Sequence, residues 1–426
     1  MLRPAFFKNP EYCEYVRLLV RLHDLIIQKK DESEEGDRLR DEMDLCSKDF
    51  TDEEVVSLNG ISGDIYFLSL PSIEPTQLSD DARKELVLAK SLQRSGDYIS
   101  ALAILRKFRF SVASPILARL RGTIFSEAGL HDVAWRFYKF AAEREPENDS
   151  HVFVELDALH NFDPANADER AKEILCKPES YAPMILLKAI EIRIDSSRND
   201  DPKTRGDVNR KLLPLIERVI SDFEAEGSTK YSPDLLPMAY SLCGFCFQDE
   251  EMFPEARRCF DQALMLDKYN AELFTARGML LYGRDTDTAV DDFKKAIAIE
   301  SSTEWPFFFL AHHFLLQNRF DVCLQLCREV LKFPTTDKVR AHCYEWMAIS
   351  EAMLRSSPVN VRTYFDRALQ LSPHSERLQR NRQAYDTLIK ESNIEEIHWE
   401  KDEEAELREF GRPQFRPQFR PFYLAA

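Results

Sequence analysis

Residues 115–148 read PILARLRGTIFSEAGLHDVAWRFYKFAAEREPEN, and the order of small and large side chains along them decides the fold. The markers are Gly122, Phe125, Gly129, Ala134, Tyr138, Ala141 and Pro146. Two antiparallel helices fit this spacing. Gly122 stands where they approach most closely, and the second helix brings Ala134, twelve positions on, to meet it. Tyr138 is a large knob directed toward the next pair, and Pro146 ends the second helix.

Working outward, the same intervals recur. Upstream, Ala89, Leu92, Gly96, Ala101 and Leu105 precede the unit, with Ala101 lying 33 residues before Ala134. Downstream, Gly244, Phe247, Ala256, Phe260 and Ala263 repeat it, and Gly278 with Ala289, Phe293 and Ala296 repeats it again. Ala311, Phe314, Cys323, Cys327 and Pro334 follow, and Phe365, Ala368 and Pro373 close the series. The pattern resembles the tetratricopeptide repeat, a helix–turn–helix unit of about 34 residues. Residues 82–148 and 237–374 carry the likeness. It implies an all-α fold, an α-solenoid of helix pairs.

Residues 151–236 lack the markers yet still read as helices. Met184, Leu186, Leu187, Ile190 and Ile192 form one apolar segment; Leu212, Leu213, Leu215, Ile216, Val219 and Ile220 form another, and a polar loop over 195–202 separates them. They are expected to continue the stack in divergent form. The first 75 residues are a different helical element. Tyr15, Leu18, Leu19, Leu22, Leu25 and Ile26 recur at helical spacing, while Thr51 with Glu54 makes a capping box and Phe50 with Val55 a hydrophobic staple, so a helix starts at Asp52. The succession of LHDLI, an acidic stretch and NGISGDIYFLS looks like the N-terminal region of uncharacterised bacterial repeat proteins, and a cap is its default role. The expected division is a cap over 1–75, repeats over 76–150, divergent pairs over 151–236, repeats over 237–390, and an acidic linker with an Arg/Pro/Phe tail over 391–426.

Composition agrees. Only 12 glycines in 426 residues leave little for the tight turns of an all-β protein. The net charge is −17 and it is localised: residues 31–54 hold twelve carboxylates against three bases, and residues 391–410 hold nine against two. That balance argues against a nucleic-acid duplex, which is bound by cations that neutralise phosphates. No apolar run approaches the roughly 18 residues that span a bilayer, and the first ten residues carry no secretory pattern, so a soluble cytoplasmic chain is expected. Nine scattered cysteines then read as reduced thiols.

Chemistry-bearing motifs are few. Cys243-Gly244-Phe245-Cys246 has the spacing of a redox pair or half a zinc site. Gly244, however, is a close-packing position of a repeat, no second CxxC follows, and no strand precedes, so buried structural thiols are expected. His312-His313 has no HExxH context, and Gly60 and Gly63 precede no Gly-Lys-Ser/Thr. No catalytic residue, metal ligand or cofactor site is assigned.

The resemblance implies that the first helix of each pair lines a concave face that contacts peptide ligands. Placed relative to the small markers, the inward positions are Arg83, Lys90, Arg94 and Arg119 at one end. At the other they are Phe245, Met279, Tyr282, Trp305, Phe308 and His312. One end is basic and the other apolar and aromatic. The expected function is a non-enzymatic adaptor or scaffold that binds a protein or peptide segment. The alternatives are a self-associating assembly protein and a thiol- or metal-dependent enzyme at Cys243 and Cys246. The tail is a candidate intramolecular ligand, its carboxylates facing the four cations and Phe415, Phe419, Phe422 and Tyr423 facing the aromatic end.

Overall fold

Apolar residues at helical spacing turn most of the described chain into α-helix, and a Ser, Thr, Asp or Asn side chain caps the start of some helices, such as Asn9, Ser33, Thr51, Asn148 and Asn270. The structure is a computed structural model that describes residues 6–69, 79–109, 111–226, 234–391 and 399–412; among them there is no strand. The chain divides into two units, Met1–Ser196 and Ser197–Ala426.

In the first unit, α1 (Pro10–Ile27), α2 (Glu34–Cys46) and α3 (Asp52–Tyr66) precede the repeats. Leu18 and Leu25 of α1 close on Leu39 and Met43 of α2, while the acids of α2 point to solvent. Thr51 and Glu54 form the expected capping box. The staple does not form: Val55 is exposed, and Phe50 packs on Tyr12 and Tyr15 instead, a larger apolar surface than one valine offers. Then come α4 (Asp80–Arg94), α5 (Tyr98–Lys107), α6 (Ser114–Glu127), α7 (His131–Arg144), α8 (Asp149–Phe162), α9 (Pro164–Leu175) and α10 (Pro183–Ser197). Helices α4 with α5, α6 with α7, and α8 with α9 pack as pairs.

The second unit runs α11 (Pro202–Glu226), α12 (Leu235–Asp249), α13 (Phe253–Leu266), α14 (Ala271–Leu281), α15 (Thr286–Ala298), α16 (Trp305–Leu316), α17 (Phe320–Val330), α18 (Asp337–Met353), α19 (Pro358–Leu371), α20 (Glu376–Glu391) and α21 (Glu404–Gly411). From α12 to α19 each consecutive pair packs along its length, and the pairs stack on one another. This is the all-α, solenoid-type stack of helix pairs that the markers implied.

One detail of the pair differs from the sequence reading. What stands over each glycine is a ring. A Cβ added at Gly122, Gly244 or Gly278 would come within 2.7–2.9 Å of Tyr138, Phe260 or Phe293 respectively. The aromatic knob thus seats in its own pair, on the flat patch that glycine leaves, and Ala134 and Ala256 are buried as smaller neighbours. Phe293 also stacks on Phe309 of the following pair at 5.2 Å, so one ring serves both contacts. Helices α8 and α9 join at Asp163 without a left-handed residue, while six of the turns between paired helices hold one, supplied by Gly96, Gly129 and Gly283 in three pairs. In the others it falls to Glu251, Asn318 and Arg355, at a conformational cost that glycine avoids.

Candidate ligand face of the second unit

Helices α14, α16 and α18, with Tyr282 just past the end of α14, present Met279, Tyr282, Trp305, Phe308, His312, His342 and Trp346 to one continuous apolar layer, to which α20 adds Leu378 and Tyr385. Segment 399–412 of the same unit lies against it. The repeat places these side chains: each first helix of a pair turns one stripe toward its partner and another toward the preceding first helix, so aromatic rings four residues apart form a layer. Phe308 and Trp346 lie 4.8 Å apart and His312 and Trp346 5.2 Å apart.

The segment enters as extended chain. Trp399 is buried and stacks on Phe365 at 6.2 Å. Asn381 on α20 then holds the backbone of Glu400 at two points, accepting its N–H at 2.9 Å and donating to its carbonyl at 2.8 Å. Buried Glu345 on α18 orients that amide at 2.8 Å and also holds Arg377 at 2.6 Å. Arg380 takes the Glu400 carboxylate with two N–H groups, at 2.7 and 2.9 Å. Asp402 pairs with Arg377 and lies 3.4 Å from Nδ1 of His342. Lys401 donates to the Leu315 carbonyl at 3.0 Å.

His312 makes a defined link. Its Nε2 lies 2.9 Å from the Asp402 carbonyl, which only accepts, so Nε2 carries the proton. Nδ1 is therefore the acceptor for the Tyr282 hydroxyl, also at 2.9 Å. The neutral ring this requires fits its surroundings: burial, followed by the neighbouring His342 and Arg377, holds the His312 pKa down at about 3. Burial and Arg377 hold His342 at about 4. Burial likewise pushes the Tyr282 hydroxyl well above its ordinary range.

Beyond Asp402 the segment coils into α21, whose start Glu403 and Glu406 close as a capping box. Leu407 is buried in the cluster. Arg408, almost fully buried, donates to the Tyr282 carbonyl at 2.7 Å. Phe410 meets His342 at 4.8 Å and Phe308 at 6.1 Å. Gly411 lies so close to the face that a Cβ there would stand 2.8 Å from Phe309 and 3.2 Å from both Met279 and Trp305. Arg412 pairs with Asp249 at the end of α12.

The ten expected ligand-facing residues are thus distributed unevenly. Met279, Tyr282, Trp305, Phe308 and His312 come together. Phe245 packs edge-on against Phe260 of its own pair at 5.2 Å. Arg83, Lys90, Arg94 and Arg119 belong to the first unit, where Arg83 and Arg94 are exposed, Lys90 and Arg119 are half-buried, and burial lowers the Arg119 pKa. The expected pairing of these four with the acidic segment is replaced over 399–412: Glu400 and Asp402 find Arg380 and Arg377 inside their own unit, on a helix only about twenty residues back. Phe415, Phe419, Phe422 and Tyr423 lie outside the described residues. Sequence reading missed Glu345, Arg377 and Asn381 entirely. The available signal was a buried-face Glu on α18 with polar Arg and Asn four apart on α20.

The CxxC thiols are buried. Cys243 is raised in pKa by its hydrogen bond with Cys259 and by burial, and burial raises Cys246, which donates to the Asn209 side chain at 3.7 Å. Both are held as protonated thiols rather than nucleophilic thiolates. Among the described residues no cluster of three or more His, Cys, Asp or Glu side chains could hold a metal ion, and no helix is long and apolar enough to cross a membrane.

No protein-family model matches the chain, and no curated protein matches its sequence. Among solved structures, a chain described as "MamA RS-1 ArsTM double mutant" is similar over 53% of this chain and 98% of its own, at 16% identity and a TM-score of 0.27. A chain from the structure of Naa15/Naa10 bound to HypK-THB is similar over 82% of this chain at 14% identity and a TM-score of 0.30; the match spans 58% of that chain's length. Likeness at that level leaves the fold to be read from this chain's own packing.

Proposed function

We propose that this chain is a non-enzymatic, cytoplasmic adaptor that binds a protein or peptide segment on the α14–α16–α18–α20 face, and that residues 399–412 are an intramolecular stopper on that face. The observation that carries this reading is the two-point hold of Asn381 on the Glu400 backbone, with His312 on the next-but-one carbonyl. Contacts to peptide groups suit any extended chain, and they are what a peptide-binding face needs and a purely apolar core does not. The test compares three chains as baits: the full chain, one ending at Glu391, and the shortened chain with Asn381→Ala and Phe308→Ala. The shortened chain should retain a defined set of proteins that the other two do not, and hydrogen exchange over residues 305–316 and 337–353 should rise when the segment is removed. Equal capture by all three, with unchanged exchange, would sink the reading.

A further inference from the structure

Resting on the reading just given, the geometry points to a sequence-selective site. We propose that the α14–α16–α18–α20 face recognises in a partner protein an acidic segment of the form Trp-Glu-x-Asp followed by a short helix ending Leu-Arg-x-Phe-Gly, and that residues 399–412 are the chain's own copy of that ligand.

Three kinds of contact define the form. The acidic strand is read by fixed cations: Arg380 grips Glu400 with two N–H groups, and Arg377, held from behind by buried Glu345, takes Asp402. A neutral residue at either position would remove the carboxylate that each arginine receives from the segment, leaving Arg377 with only the Glu345 carboxylate and Arg380 with only that of Glu376. The spacing between strand and helix is read by main-chain contacts, from Asn381 to Glu400 and from His312 to Asp402. These fix the register without regard to side chains. The helix end is read by shape. Arg408 reaches the Tyr282 carbonyl while almost fully buried, a position at which a shorter side chain would leave that acceptor unmet. Gly411 is required because its Cα lies on Phe309, a ring that cannot retreat: it stacks at 5.2 Å and 7° on Phe293, which itself fills the patch left by Gly278. The repeat joint therefore sets a specificity determinant on the opposite side of the ring.

Of the segment's six acids, Glu400 and Asp402 are the two that meet cations of the face, Arg380 and Arg377, so the site selects a partner with carboxylates at those two positions. The resident copy is tethered, and tethering gives it an effective concentration of about a millimolar. If the resident copy's intrinsic dissociation constant is roughly 10–100 μM, an outside ligand would then bind about 10–100-fold more weakly than to an open face.

The experiment uses the full chain, wild type and Gly411→Val, and a fluorescein-labelled peptide of residues 399–412, native or carrying G411V. Anisotropy titrations should show the native peptide binding the Gly411→Val chain at least about tenfold more tightly than the wild-type chain. The G411V peptide should bind the variant chain at least about tenfold more weakly than the native peptide. Circular dichroism checks that the variant is folded; if it is not, the Arg408→Ala, Phe410→Ala double variant takes its place. Equal affinity of the two chains for the native peptide overturns the inference. Equal affinity of the two peptides also overturns it, while leaving the face a general peptide site. If neither peptide binds a variant whose exchange over 305–316 has opened, the proposed function falls as well. A concentration-dependent dimer of the wild-type chain that Gly411→Val disperses would assign the site to a second copy and overturn the inference in that direction.

Discussion

Gly122 on α6 and Gly278 on α14 carry the same joint, a glycine under an aromatic ring, and each unit also holds a buried carboxylate that gathers polar partners, Asp64 in the first and Glu345 in the second, but the two clusters are completed differently. In the first unit, Asp64 of α3 is fully buried and accepts Arg106 at 2.9 and 2.7 Å, while the guanidinium of buried Arg121 lies 3.2 Å from its other oxygen and 4.3 Å from the centre of Phe67. Gly60, one turn earlier, leaves the space that the Arg106 guanidinium fills. Everything in that cluster comes from packed helices and the turn of chain after α3. In the second unit, buried Glu345 likewise holds Arg377 and Asn381, but these are completed by Glu400 and Asp402 of segment 399–412. A polar cluster that closes on its own helices is structure. On the function proposed above, one that segment 399–412 completes is a place where another chain can sit.

The largest expected effect tests the closed cluster. Asp64→Ala would leave Arg121 buried without its carboxylate, which should cost about 3–5 kcal/mol of stability, read by urea denaturation. The carboxyl itself is raised in pKa, because burial outweighs the two arginines, so the site is one where charge is tolerated only as a set. A cost below about 1 kcal/mol would mean that Arg121 has another partner and that the two clusters do not differ in kind.

The open cluster should instead respond to acid. His312 and His342 both titrate in the folded chain well below their ordinary value of 6.5, at about 3 and about 4, with burial as the main cause. A base whose folded pKa is depressed contributes stability that is complete above 6.5 and is lost as pH falls toward the folded value. Their immediate surroundings are Tyr282, Lys401 and the Asp402 carbonyl for His312, and Arg377, Glu345 and Asp402 for His342. Lowering the pH from 7.5 to 5.5 should therefore weaken seating of the segment by about 2–3 kcal/mol, read as faster exchange over 399–412. A His342→Gln chain should lose about half of that dependence. Exchange that is flat across this range would mean that the histidines remain shielded after the segment leaves.

How much of this was legible follows from which contacts are local. The joint was readable because Gly122, Ala134 and Tyr138 lie within sixteen residues and repeat, and the capping box at Thr51 is shorter still. Half of the candidate face was readable for the same reason: Met279, Tyr282, Trp305, Phe308 and His312 occupy fixed register positions on α14 and α16. Its occupant was not. Arg408 meets Tyr282 across 126 residues and His312 meets Asp402 across 90, and no periodicity encodes a pairing at that range. Charge counting pointed the acidic segment at the most visible cations, Arg83, Lys90, Arg94 and Arg119, because Arg377 and Arg380 sit in a helix whose other charges hide them. Gly411 carried the clearest unused signal, a lone glycine at the end of a short amphipathic helix.

The smallest expected effect isolates the joint from the helix that carries it. Gly278 and Gly63 are both interior to helices, at ordinary helical φ, so alanine at either removes the same conformational freedom from the unfolded chain. At Gly63, which is exposed, an added Cβ meets nothing within 4 Å, and Gly63→Ala should stabilise by about 0.5–1 kcal/mol through helix propensity alone. At Gly278 the Cβ would stand 2.7 Å from Phe293, whose far side is held by Phe309, so the ring cannot move without disturbing the face beneath Gly411. Gly278→Ala should therefore lose the propensity gain and a further amount to overpacking, for a net cost of about 1–2 kcal/mol. The sign difference is the point of the pair: if both substitutions stabilise, Phe293 is free to shift, and the rigidity that makes Gly411 selective is absent.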